Sequence, residues 1–222
     1  MEMCSREGIS LQKGMNFKVR GTHSVILMSM HSSAKYEDEI IDNGNVLIYE
    51  GHDIPQTRGG PYPKSVDQPE YLPSGTKFTE NGKFNSAAQK FKRGEASAEK
   101  IVVYEKLRKG IWSYNGIFNL VDSWMAESNG RKVFKFKLEL TDESVVRTDK
   151  QSKTEPAKRI IPSWVKLDAW KRDGGKCVQC GSDQNLHFDH IIPWSRGGAS
   201  DDPSNIQILC GRHNIQKSDK IE

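Results

Sequence analysis

Three of the chain's four cysteines, Cys177, Cys180 and Cys210, fall within 34 residues, two of them as a C-V-Q-C pair, while Cys4 stands far away. Cys210 is followed at the same spacing by His213. Two short-spaced ligand pairs divided by a loop are how a chain builds tetrahedral Zn(II), each knuckle lending two donors from one turn. Four protein ligands leave no open position, so this zinc is expected to be structural rather than catalytic. A disulfide framework would call for an even count in an extracellular context, which the spacing here does not suggest.

Between the two pairs run Phe188-Asp189-His190-Ile191-Ile192-Pro193, then Ser195, Gly197-Gly198 and Asn205; the second pair opens Leu209-Cys210-Gly211-Arg212-His213-Asn214, with Lys217 after it. In that order the D-H-I-x-P, G-G, N and L-C-x-x-H-N-x-x-K elements closely resemble the HNH nuclease family, over residues 164–220. The resemblance implies a small ββα-metal fold and hydrolysis of phosphodiesters. Such hydrolysis needs a general base to deprotonate water and a cation to hold the scissile oxygens. His190 is the candidate base, because imidazole alone titrates near neutrality unperturbed. Asp189, its neighbour in an extended segment, points to the opposite side. Its carboxylate suits Mg2+ or Mn2+, hard cations that prefer oxygen. By resemblance, Asn214 is the second ligand of that ion and Asn205 the carboxamide that holds the loop and orients the base. Lys217, one turn past His213, is the expected phosphate contact. Many family members carry a cysteine where His213 stands, which leaves a second reading of His213 as the terminal catalytic histidine; the C-x-x-H spacing favours zinc.

A second set of residues lies near the N-terminus. Tyr36-Glu37-Asp38-Glu39-Ile40-Ile41-Asp42-Asn43-Gly44-Asn45 continues through Tyr49-Glu50-Gly51. The Tyr, the acidic pair, D-x-G-N and Y-x-G resemble the signature of SRA (YDG) domains, with one residue inserted near Ile40-Ile41. Looser similarity extends to Gly21-Thr22-His23 and the stretch His52 to Pro61, over roughly residues 8–140. The resemblance implies a reader that flips 5-methylcytosine, or 5-hydroxymethylcytosine, out of double-stranded DNA into a pocket. Flipping costs a few kcal/mol. Two aromatic plates return about 1–3 kcal/mol per stacked base, and a carboxylate accepts the N4 amino proton of cytosine. Tyr36 and Tyr49 fit the plates. Asp38 fits the carboxylate, with Glu39 the alternative that the inserted residue leaves open. Gln56 and Arg58 are candidates for filling the gap left in the duplex.

The elements that position these groups are mainly strands. Lys132 to Leu140 alternates Phe134, Phe136, Leu138 and Leu140 with Lys and Glu, the pattern of a half-buried strand. Val46 to Tyr49 and Ile101 to Tyr104 are short apolar runs, and Asn115-Gly116 reads as a hairpin turn splitting Trp112 to Leu120. Phe84, Ala87, Ala88 and Phe91 share one helix face that ends at Gly94. The expectation is α+β: an SRA-like curved β-barrel domain with flanking helices over residues 1–143, an exposed linker over 144–160, and an HNH module over 161–222. In the module, Ser163 is expected to cap an amphipathic helix carrying Trp164, Leu167 and Trp170. A final helix is expected from Ser204 onward. A core of ~60 residues usually needs a staple, which the zinc would provide.

Composition excludes little but usefully. With 35% hydrophobic and 28% charged residues, the 222-residue chain is too apolar for a disordered protein and too polar for a membrane protein. Its longest strongly apolar run, Val25 to Met28, is far short of the ~20 residues that span a bilayer. The first residues, MEMCSREGIS, lack a basic then apolar signal pattern, so a cytoplasmic location is expected. The net charge is +4, from 33 basic and 29 acidic side chains, too balanced to announce nucleic acid by itself. Taken together, the residues read as a modification-dependent DNA endonuclease with structural Zn2+ and catalytic Mg2+ or Mn2+, possible as a homodimer. The alternatives are an HNH endonuclease or nickase acting on unmodified DNA, and a methyl-DNA reader that does not cut.

Overall fold

The alternating run before the linker becomes the last strand of a seven-stranded sheet. The computed structural model describes residues 4, 7–11, 13–30, 34–42, 45–108, 111–141 and 160–221. The expected linker over 144–160 lies, but for Ile160, outside the described residues, as do Asn43 and Gly44 of the N-terminal motif. The elements fall into two compact units, the first ending with the seventh strand and the second beginning with the helix after the linker.

The first unit contains β1 (Met15–Val19), β2 (His23–Met28), β3 (Glu39–Ile41), β4 (Val46–Glu50), β5 (Glu99–Arg108), β6 (Ile111–Ser128) and β7 (Arg131–Leu140). Their order in the sheet is β1-β2-β5-β6-β7-β4-β3. Neighbours are antiparallel except β2 and β5, which run parallel across a long crossover. Inside that crossover lies helix α1 (Glu80–Lys92). Thr79 caps it, its hydroxyl accepting from the Gly82 amide. Gly94, at φ +72°, allows the left-handed turn just beyond its end. The apolar face of α1 buries Phe84 edge-on to Phe17 and Phe136. Each such ring contributes ~1.5–3 kcal/mol by leaving water.

Asn115-Gly116 is not a hairpin. Strand β6 runs through it unbroken, and the pairing slips there, with Val103 opposite Gly116 but Tyr104 opposite Tyr114. Asn115 is the extra residue of a β-bulge, its side chain donating to Glu105, and Gly116 takes the φ of +117°. A turn dipeptide inside a long strand bends it instead of reversing it. A second slip at Leu120/Asp122 adds to the curvature.

The second unit contains helix α2 (Ser163–Arg172), the antiparallel pair β8 (Leu186–His190) and β9 (Ile206–Cys210), and helix α3 (Gly211–Lys217). Two expectations are corrected. Pro162, not Ser163, occupies the cap position of α2, and no side chain bonds there. The buried face is Val165 and Ala169 against Ile161 and Ile206, leaving Trp164 exposed. The final helix does not start at Ser204: Ile206 to Cys210 is strand, because Ile206, Ile208 and Leu209 find burial across from β8, and the helix begins at Gly211. Among the described residues no helix is long and apolar enough to cross a membrane.

Candidate functional site

The two knuckles meet. Cys177 and Cys180 sit on the turn after α2, closed by the Gly181 amide donating to the Cys177 carbonyl at 2.8 Å. Cys210 precedes α3 as its cap residue, which places His213 on the first turn of that helix. The four donor atoms all lie within 4.8 Å of one another. Sγ of Cys177 and of Cys210 are 3.3 and 3.5 Å from His213 Nδ1, and Sγ of Cys180 is 3.9 Å from that of Cys210. Zinc bonds of about 2.0–2.3 Å in a tetrahedron separate neighbouring donors by about 3.4–3.8 Å, so the set has the size and chemistry of a closed Zn2+ site. Burial raises the Cys177 thiol, but its bonds to His213 and to backbone amides outweigh this and bring it down to about 6. A thiolate is what a metal requires. His213 thus belongs with the cysteines rather than with the second candidate centre.

That centre is built on β8. Asp189 and His190 are adjacent and project to opposite sides of the strand. Oδ2 of Asp189 accepts from Lys217 Nζ at 2.9 Å and, weakly, from Gln207 Nε2 at 3.4 Å. Lys217 is corrected here. Expected at a phosphate, it is wholly buried, and its ammonium also donates to the His190 carbonyl at 2.7 Å. Its place one turn beyond His213 turns it inward from α3 onto β8. The His190 imidazole lies with Nε2 2.7 Å from the hydroxyl of Ser200, itself 1% exposed. Burial lowers the His190 pKa, opposed by the Asp189 charge and aided by that of Lys217, which favours the neutral ring. A neutral imidazole is a base ready to accept a proton.

Asn205 is the clamp behind this strand. Its Oδ1 accepts from the Ile192 amide at 2.8 Å, and its Nδ2 donates to the carbonyls of Ile192 and Ala199 at 3.2 and 2.9 Å. The loop from Ile192 to Ala199 is thereby fastened at both ends, which seats Ser200 against His190. Gly198 makes the closure possible, since a Cβ there would stand 1.8 Å from the Ile192 carbonyl oxygen. Asn214 is half-buried on α3, which packs against both strands. The Asp189 carboxylate and the Asn214 carboxamide supply oxygens, the donor type Mg2+ or Mn2+ takes.

Residues 177–220 match the family model of the HNH endonucleases. The second unit is therefore an HNH module, its ββα motif formed by β8, β9 and α3 with the Cys3His cluster beside it. No curated protein matches the chain in sequence.

In the first unit, a cavity of about 270 Å3 opens beside the residues before β3. Its lining includes the polar Tyr36, Asp38 and His52 and the apolar Leu27, Met28 and Trp112. A buried ionic network holds Tyr36 and Asp38 in place. The Arg131 guanidinium reaches Asp53 at 2.6 Å and Glu50 at 3.7 Å, and Lys135 bridges Glu50 and the Glu37 carbonyl. Asp38 accepts from the Glu50 amide at 3.0 Å. Burial pushes its carboxyl up to about 7, against the lowering effect of the Glu50 and Ser29 amides. Of the two carboxylates that the sequence left open, Asp38 lines the cavity and Glu39 is exposed on β3.

Tyr49 is the other correction. It is 1% exposed and does not line the cavity, because its place on β4 turns the ring into the core opposite Phe136. Its hydroxyl lies 2.9 Å from His52 Nε2, and the His52 ring stacks on Tyr36 instead. Gln56 and Arg58 lie exposed on the loop after β4 and do not line the cavity.

The sequence reading missed Ser200, Trp112 and His52. Ser200 was signalled by its place two residues after the double glycine; His52, directly after Y-x-G, carried no chemical pattern of its own. In fold, the chain is similar to the SRA domain of SUVH5 with hemi-methylated CG DNA: 23% identity, TM-score 0.42, 68% of this chain and 88% of that one. The same domain with fully hydroxymethylated CG DNA gives 23% identity and a TM-score of 0.41, over 72% and 87% of the two chains. SUVH6 of Arabidopsis thaliana in complex with SAM gives 18% identity and 0.39, covering 82% of this chain and 28% of that one.

Proposed function

We propose that the protein is a modification-dependent DNA endonuclease. Its first unit takes a flipped 5-methylcytosine or 5-hydroxymethylcytosine, and its HNH module hydrolyses a phosphodiester bond. The observation that carries the reading is the coexistence, on one chain, of the Asp189-His190 strand with its zinc knuckles and a base-sized cavity walled by Tyr36 and Asp38.

In the module, His190 takes a proton from the attacking water, with Ser200 on its far nitrogen fixing the ring. Asp189 and Asn214 would hold a divalent cation. That cation supplies neutralisation of the charge growing on the scissile phosphate. Lys217 holds Asp189 and the His190 backbone in register, so it acts by positioning. In the cavity, the Tyr36 face stacks on the base and the Asp38 carboxylate accepts its N4 amino proton. Leu27, Met28 and Trp112 give the cavity apolar lining, suited to a C5 substituent. One HNH site cuts one strand, so a double-strand break calls for a second copy or a second encounter.

Digestion of methylated and unmethylated plasmid with added Mg2+ or Mn2+ tests the whole reading. Cutting confined to methylated plasmid is expected. Equal cutting of both would leave an endonuclease for unmodified sites, and binding without cutting would leave a reader.

A further inference from the structure

The space between Tyr36 and Tyr49, where the sequence puts a base, is filled by a side chain of the protein itself. The His52 ring lies on Tyr36 with centroids 4.8 Å apart and planes 10° from parallel. Its edge meets Tyr49, the ring centroids 6.1 Å apart and tilted by 40°, with Nε2 2.9 Å from the phenol oxygen. A base held between two plates needs about 7 Å from plate to plate, twice the contact distance of stacked carbons. No base fits on that face of Tyr36 while His52 is there.

We propose that His52 is a displaceable plug, holding the stacking place on Tyr36 until a flipped base takes it. The inference rests on the base-flipping reading of the first unit. The His52 backbone is anchored separately from its ring: its amide donates to Asn81 Oδ1 at 2.9 Å, and Asn81 Nδ2 donates to its carbonyl at 2.8 Å. The ring can therefore leave by side-chain rotation while the chain stays put. Gly14 provides its seat, because a Cβ there would stand 2.3 Å from His52 Cε1. Burial lowers the His52 imidazole to about 4, so a neutral ring leaves the slot with no charge to carry. A plug reduces apparent affinity by the fraction of molecules in which it is closed. Every base that must displace the ring loses the same factor, whereas binding through the phosphates alone, which dominates on an unmodified duplex, does not.

The test uses the full chain without added divalent cation, titrated against a 5-methylcytosine duplex and its unmodified counterpart at fixed salt. His52→Ala should tighten methylated-duplex binding by about two- to tenfold, the worth of one hydrogen bond. It should leave the unmodified duplex nearly unchanged and speed the rise of 2-aminopurine fluorescence beside the modified base. Gly14→Ala, which crowds the ring out without deleting it, should act in the same direction and carries the test if His52→Ala fails to fold by circular dichroism. Weaker or unchanged methylated-DNA binding in a folded variant, with wild type still discriminating, overturns the plug alone and makes His52 a wall of the pocket or a bystander. Wild type that binds both duplexes equally and is indifferent to Tyr36→Ala overturns base flipping, and the plug with it.

Discussion

The Lys217 ammonium reaches the Asp189 carboxylate at 2.9 Å from a position with no solvent exposure. Its second bond, to the His190 carbonyl, ties α3 to the backbone of the same strand. Removing one partner of a buried ion pair strands the other charge. Lys217→Met should therefore destabilise the HNH module by about 3 kcal/mol, read as a lower urea midpoint. A surface phosphate contact would behave differently, with stability changed by less than about 0.5 kcal/mol and only the salt dependence of binding reduced.

His190→Ala should lower the cleavage rate by about 10²–10⁴-fold, the usual contribution of a positioned base. Zinc content and methylated-DNA affinity should stay at wild-type values, since neither uses the imidazole. Ser200→Ala should lower the rate by less, about fivefold for one lost hydrogen bond, with Ser200→Thr recovering part of it. Single-turnover cleavage measures all three, and near-wild-type cutting by His190→Ala would remove it as the base.

Metal analysis of purified protein should find one zinc per chain. Because ligand binding free energy in such a knuckle is folding free energy, Cys177→Ser or Cys210→Ser should unfold the HNH module and leave the first unit's transition in place. Protein that folds fully with no zinc would contradict the Cys3His assignment.

Asp38 supplies a pH test with a definite sign. Its folded carboxyl titrates near 7 instead of near 3.8, so the native state holds the proton more tightly than the unfolded one. Stability should fall as pH rises between about 4 and 7 and level off above that. Binding should move the opposite way. The base's amino group needs the ionised form, so affinity for methylated DNA should drop as pH falls below about 7, and Asp38→Asn should flatten that slope. Glu39→Ala, on an exposed position, should change neither. An affinity unchanged between pH 6 and 8 would mean that Asp38 is not the acceptor.

What could be read from the sequence was whatever depends on residue type and short spacing. The Cys-x-x-Cys and Cys-x-x-His pairs announce tetrahedral metal because two ligands from one turn are a local geometry. Phe134, Phe136 and Leu138 announce a strand because period-two alternation is local as well. Asp189 beside His190, Asn205 and the double glycine were equally visible. The tertiary structure alone decided what each group faces. Lys217 looked like a solvated phosphate contact until the packing of α3 on β8 buried it against Asp189. Asn115-Gly116 looked like a turn until pairing with β5 absorbed it as a bulge. Ile206 to Cys210 looked helical until β8 offered it a partner. The choice between Asp38 and Glu39 was one of strand parity, and the exchange of Tyr49 for His52 on the Tyr36 ring was one of core packing. Periodicity specifies which residues share a face; which face meets another element, and which polar group is left buried there, depends on contacts between residues far apart in the chain.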